Sequence, residues 1–346
     1  MVMNDVDEQP AVVPSSPGVS ASPQYVRDLL RRTSRTFALS IEQLPRPLCD
    51  ELSLAYLLLR VSDYLEDHPS LPAAKKVELL DAWEHALRDR ALLTAFSHKL
   101  SQVEVAGEPA EAEAARSAPV LLDRLDLLSS DARGIILAHV IATTKGMGRW
   151  QAHSPEIADE AEMDDYMHQV AGIVGYLITD LFACYSRRIE RDRTQLLPLA
   201  REFGLALQSV NVIRGLRKDY ERGWIFVPRT FCAAVGLVGS ELFSADQERP
   251  AMEVVERLVA KAERHLRCAL EYVSRLPRRL HRLRLACMWP LLFAAGTLGE
   301  SRENPAVLRS EAKISRSTVK GIVAKTKIFG WSNAWLSSYT GRLVRG

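Results

Sequence analysis

Apolar residues recur three and four positions apart along almost the whole chain, and this period constrains the fold more than any other feature. Val26, Leu29 and Leu30 share one helical face, as do Leu52, Ala55, Tyr56 and Leu59, and then Leu79, Trp83 and Leu87. No stretch alternates convincingly for more than a few residues, and no Asn-Gly or Asp-Gly pair marks a hairpin. The pattern predicts an all-α bundle of long helices in one domain, residues 25–335. Pro45, Pro47, Pro69, Pro72, Pro198, Pro228, Pro277 and Pro305 read as helix boundaries.

Composition excludes several classes. With 45 basic and 43 acidic residues the net charge is +2, so no global field attracts nucleic acid, and any anion site is built locally. Five scattered cysteines without CxxC spacing read as reduced core thiols, which points to the cytoplasm. Residues 1–24 lack a basic n-region and an apolar h-region and read as a disordered leader. The apolar run 285–298 contains Pro290 and is too short to span a bilayer, so a buried helix is expected there. Residues 102–118, acidic and Ala-rich, read as an exposed loop or short surface helix. Residues 336–346 read as a flexible tail. For the aromatic and Arg-bearing segment 331–346 the alternative is peripheral contact with a membrane surface.

Three constellations carry chemistry. In LLLRVSDYLED, residues 57–67, Asp63 and Asp67 lie four apart on one helical face, with Glu66 close by and Arg60 three residues before Asp63. Two such carboxylates suit Mg²⁺, which takes one or two carboxylates plus substrate phosphates, and the Arg adds charge neutralisation. A solvated acidic face is the plainer alternative. In NVIRGLRKDYERGWIFVP, residues 211–228, Asn211, Gly215 and Asp219 recur every four residues, beside Arg214, Arg217 and Lys218. An amide and a carboxylate two turns apart help hold a second metal, while a basic helix end before a turn explains the same residues. In DDYMHQVAGIVG, residues 164–175, Gly172 and Gly175 each cost a helix about 1 kcal/mol against Ala. Close helix packing or access of a prenyl chain to the backbone would justify them. Together the three describe an apolar helical cavity with a metal–diphosphate mouth, fit to ionise an allylic diphosphate and shelter a carbocation.

At these residues the chain resembles the squalene/phytoene synthase family, the squalene synthases in particular. SRTFALSI (34–41), YLLLRVSDYLED (56–67), KGMG (145–148), YMHQVAGIVG (166–175), LQSVNVIRGLRKDYERGWIFVP (207–228), YVSRLPRRLHRLRLACMWPLLFAAGTL (272–298) and AKISRSTV (312–319) follow the family's order. The resemblance implies an isoprenoid-synthase-type helical fold, Mg²⁺, and head-to-head condensation of two farnesyl diphosphates through presqualene diphosphate, with NADPH for the reductive step. By matching position, Asp63, Asp67, Asn211 and Asp219 would hold metal, and Tyr166 would handle a proton. Ser34, Arg35, Phe37, Tyr56, Arg60, Gln208 and Arg214 match positions that contact diphosphate or prenyl chain; Val170, Gly172 and Lys218 are expected to contact substrate beside them. Arg35, Arg60, Asn211 and Lys313 match positions linked to NADPH.

One departure stands out: Gly215 and Lys218 occupy places where the family usually has acids. The Asn–Gly–Asp face looks instead like a metal triad of terpene cyclases. Alternatives therefore include a synthase that stops at presqualene diphosphate or makes phytoene, a single-substrate terpene cyclase, and a non-catalytic assembly protein. Either a monomer or a homodimer is compatible with the sequence.

Overall fold

A computed structural model describes residues 22–153 and 156–346. Of the expected leader, residues 1–21 lie outside the described residues. Residues 22–24 already serve the first helix, α1 (Pro23–Thr33): the Ser22 hydroxyl accepts from the Tyr25 N–H, and Pro23 opens the first turn. Ser34 repeats the device by accepting from the Phe37 N–H, which starts α2 (Arg35–Glu42).

The first half continues with α3 (Leu48–Glu66), α4 (Ala73–Arg88), α5 (Leu93–Ser101), α6 (Pro109–Arg116), α7 (Ala118–Leu125) and α8 (Ser130–Gln151). Next comes α9 (Glu160–Met167), which passes through one π turn at His168–Gly172 into α10 (Ile173–Tyr185). The second half holds α11 (Arg187–Glu221), α12 (Arg229–Ala233), α13 (Glu248–Arg275), α14 (His281–Ser301), α15 (Arg316–Phe329) and α16 (Asn333–Arg345). Two short strands, β1 (Glu156–Ile157) and β2 (Ile225–Pro228), pair in parallel. The sequence carries no alternation that announces them. They arise where Gly223, at φ 83°, ends α11 and turns the chain across the bundle.

Burial explains the arrangement. Sixteen of the 21 residues of α14 are buried, so this helix runs through the centre, against α2, α11, α13, α15 and α16. Its composition foretold this: the run 285–298 is apolar on every face. The stretch Glu160–Tyr185 is long and apolar enough to cross a membrane by length and composition alone. Here it packs between α8 and α11 as a core element.

Three expectations need correction. Pro198 does not bound a helix but lies inside α11. Burial of that helix against α10 and α13 outweighs the roughly 3 kcal/mol that an interior proline costs. Residues 336–346 are not a flexible tail. They belong to α16, whose Ser332 cap accepts from the Trp335 N–H and whose Leu336 and Tyr339 are buried. Gly299 admits α16 so closely that a Cβ there would lie 2.2 Å from the Leu343 carbonyl oxygen. Finally, the 102–118 segment is more than surface: α6 buries Ala112, Ala114 and Ala115 and packs against α3.

Candidate active site

The C-terminal end of α3 supplies the first set of acids. Arg60 lies 3.2 Å from Asp63 and 3.3 Å from Glu111 of α6, and its Nη2 donates to the Tyr56 hydroxyl at 2.7 Å. Its guanidinium also lies over the Tyr56 ring, which packs against Phe37 of α2 at 5.7 Å between centroids. Predicted residues of α2 and α3 thus meet in one place. Ser34 is spent in part on capping α2, and Arg35 is exposed at its start.

The last turn of α11 faces these acids. Arg222 reaches both, 3.2 Å from Asp67 and 2.7 Å from Asp219. The two acidic sets therefore confront one another across a single guanidinium. Gly215 leaves the Asp219 carboxylate room, since a Cβ there would approach it to 3.2 Å. Asn211 lies two turns back, exposed, with its amide donating to Gln208 at 3.4 Å.

Desolvation first, and then neighbouring charges, shift the ionisable groups at this junction. Loss of water pushes Asp63 up to about 6; Arg60 opposes the rise, and Asp67 and Glu111 add to it. Asp63 keeps 31% of its side-chain surface open on the cleft, yet enough protein surrounds it for desolvation to dominate. Glu66 is buried and pushed up to about 8, by desolvation first and then by Asp67 and Asp63. Asp219 rises for the same first reason, with Arg222 opposing. Desolvation disfavours the charge on Arg60, but Asp63, Tyr56 and Glu111 outweigh it and hold it protonated; Asp67 and Asp219 do the same for Arg222. Burial lowers Lys76 despite Asp67 and Glu66.

Tyr166 of α9 stands against this cluster. Its hydroxyl is held well above the ordinary tyrosine range by burial and by the fields of Glu66, Asp67, Asp219 and Asp63. The ring stacks on Phe226 of β2 at 4.5 Å and meets Trp150 edge-on at 5.5 Å, while Trp224 stacks on the far side of the group against Phe226. The phenol therefore stays protonated and fixed in direction.

A cationic margin lies along α11. Arg214 has a buried Nε without a hydrogen-bond partner, and Lys218 is exposed. Glu311 is held low by its ion pair with Lys313, against desolvation, with help from Arg214 and Lys218. Lys313 is thereby brought near the second motif, although about a hundred residues separate them in sequence. At the glycine-rich segment, packing wins over access. A Cβ on Gly175 would lie 2.0 Å from the Ala200 carbonyl oxygen, and one on Gly172 would meet His168 at 2.6 Å and Leu205 at 3.1 Å. Gly172 and Val170 lie within the π turn that leads away from Tyr166.

Among the described residues, no three carboxylate, imidazole or thiol groups converge to hold an ion unaided. The donors nevertheless fit Mg²⁺ shared with a diphosphate. They are hard oxygens at the ends of two facing helices, and desolvation raises Asp63 and Asp219 even though Arg60 and Arg222 pair with them, so added positive charge favours their ionised forms. Asp63, Asp67 and Asp219 would hold such an ion. Sequence reasoning missed Arg222, Glu111, Glu311 and the Phe226–Trp224 stack. Only Arg222 left a local signal, three residues after Asp219 at the cap of the same helix.

The squalene/phytoene synthase family model matches residues 30–318. The chain belongs to this family. Among its relatives, squalene synthase of Schizosaccharomyces pombe is 29% identical over 87% of this chain and 65% of its own length. That of Nicotiana benthamiana is 27% identical over 88% of this chain and 70% of its own. The chain thus spans about two thirds of the length of these relatives. In fold it is similar to the complex of TcSQS with E5700, at a TM-score of 0.80 and 24% identity over 93% of this chain and 90% of that one. It is also similar to squalene synthase HpnC from Alicyclobacillus acidocaldarius, at a TM-score of 0.55 and 18% identity over 90% and 94%. These likenesses bear out the all-α, single-domain reading.

Proposed function

We propose that this chain is a Mg²⁺-dependent prenyltransferase that joins two farnesyl diphosphates head to head, through presqualene diphosphate, to squalene with NADPH. One observation carries the reading: the acids of α3 and of α11 face each other beside a buried, protonated tyrosine. Magnesium, when bound, would supply the positive charge that lets a diphosphate leave with its bonding electron pair. The chain's own residues do the rest. Arg214 and Lys218 contact phosphate oxygens, and Arg60 orients Asp63. Tyr166 handles a proton by relay, passing its own to a neighbouring carboxylate as it takes the substrate's, because so high a pKa bars a standing phenolate.

Incubation with farnesyl diphosphate and Mg²⁺ tests this: presqualene diphosphate is expected alone, and squalene once NADPH is added. A cyclised product of one substrate molecule overturns it. Gly215 and Lys218 favour a second reading, a synthase that stops before reduction, in which NADPH leaves the product unchanged. Asp63→Ala/Asp67→Ala abolishes turnover while circular dichroism stays native; persistent product refutes the assigned roles.

A further inference from the structure

The junction between α15 and α16 concentrates features that the reaction does not use. Ile328, Phe329 and Trp331 are 63%, 46% and 59% exposed, three large apolar side chains within four consecutive residues. Ile328 and Phe329 end α15, and Trp331 lies in the turn that leads to α16. Trp335 packs on Phe329 at 5.6 Å, so the aromatic surface continues into α16.

This tip is rigidly mounted. The buried Arg284 of α14 donates to the Gly330 carbonyl and to Asn333 Oδ1, and with its other nitrogen to the carbonyls of Val273 and Leu276. Asn333 in turn donates to the Ser274 carbonyl. These bonds seat the α15–α16 turn beside the α13–α14 turn, which exposes Arg278 and Arg279. Lys327 is exposed next to Ile328.

Charge is distributed just as unevenly. Residues 272–299 contain five arginines and residues 312–346 contain seven lysines and arginines, and neither stretch has a single acid. In a chain of net charge +2, this is a local concentration, not a general bias. The acid that ends the preceding stretch, Glu271, is already taken by Arg275. An apolar, Trp-bearing tip ringed by unopposed cations complements one surface above others. On a bilayer with anionic headgroups the tip would enter the acyl boundary while the cations meet the headgroups.

We propose that the α15–α16 turn, with Arg278, Arg279 and Lys327, is a docking surface for an anionic lipid bilayer. It stands independently of the enzymatic reading.

The test uses the full chain with vesicles of phosphatidylcholine alone or with a minority of phosphatidylglycerol, read by co-sedimentation and by tryptophan quenching with brominated acyl chains. Each cation held at such a surface contributes about fivefold. Wild type is therefore expected to bind the anionic vesicles at least tenfold more tightly, with quenching and with loss in high salt. Ile328→Ser/Phe329→Ser/Trp331→Ser should lose vesicle binding and quenching. Arg278→Gln/Arg279→Gln/Lys327→Gln should lose at least tenfold and its salt sensitivity. Equal partition of wild type onto both vesicles, or an apolar variant that still binds, overturns the proposal. So does a concentration-dependent dimer that Trp331→Ser dissolves while wild type ignores vesicles, since a second copy would then own the surface. Quenching of wild type needs no variant and decides the case even where a substitution impairs folding.

Discussion

Replacing Arg222 with Met probes the junction directly. Its guanidinium bridges Asp67 at 3.2 Å and Asp219 at 2.7 Å, with 31% of its side chain exposed. Met keeps the stem and removes the charge. Two charge-assisted bonds vanish, each worth about 1.5–3 kcal/mol, and partial exposure discounts the upper end. The two carboxylates then face each other without a cation between them. A net loss of about 2–3 kcal/mol follows in metal-free buffer, which for a chain of this size lowers the midpoint of thermal unfolding by about 3–4 °C.

The same geometry makes a second demand. In wild type the guanidinium occupies the space between Asp67 and Asp219, so Mg²⁺ alone should stabilise the fold little. In Arg222→Met that space opens to the ion, and binding to the native state raises stability in proportion to the logarithm of its concentration. Urea unfolding over a Mg²⁺ series, without diphosphate, reads both effects. Expected is a variant that is weaker without metal and recovers with it along a steeper slope than wild type. A variant as stable as wild type without metal, or parallel slopes, refutes the idea that Arg222 fills the place of a cation.

Three further outcomes follow. Glu66 has its folded pKa raised from 4.5 to about 8, so the native state keeps a proton that the unfolded chain has lost, and stability falls as pH rises through that window. Glu66→Gln should flatten this dependence in urea titrations and gain on the order of 3 kcal/mol above the folded pKa. Gly175→Ala sets a methyl 2.0 Å from the Ala200 carbonyl oxygen and forces α10 from α11; calorimetry should show a loss of about 2–3 kcal/mol or more. Lys218→Glu places an acid where a cation now eases Asp219, and Mn²⁺ titration calorimetry should show roughly tenfold tighter binding, from about 1.4 kcal/mol of added attraction; unchanged affinity counts against Lys218 as a charge substitute.

Much of the bundle was legible because burial imposes a helical period wherever a face meets the core. Leu52, Ala55, Tyr56 and Leu59 announce α3, and Asp63 and Asp67 stay together because Asp67 caps that helix, its N–H donating to the Asp63 carbonyl. What stayed hidden is contact between elements distant in sequence. Arg60 and Glu111 are 51 residues apart, and no local pattern links them. Pro198 misled because its cost is local, whereas the burial that overrides it belongs to α10 and α13. Residues 336–346 looked dispensable because their apolar positions are few. Yet Leu336 and Tyr339 are buried, and Gly299 of α14 admits the α16 backbone at Leu343.

The departure in the second motif becomes intelligible only in three dimensions. Gly215 and Lys218 remove acids from a helix that would otherwise bring several carboxylates against Asp63, Glu66 and Asp67. Beyond desolvation, Asp67 already raises Asp63, and Asp67 and Asp63 together raise Glu66. With Lys218 beside Asp219 and Arg222 between Asp219 and Asp67, the α11 side meets the α3 side with cations attached to the chain. A junction built this way is held together before any ion or diphosphate arrives. Cations fixed to a helix can meet only the phosphate oxygens within their reach, whereas a free metal ion goes where the charge develops. The exchange therefore trades adaptability toward the leaving group for a mouth already formed in the folded chain.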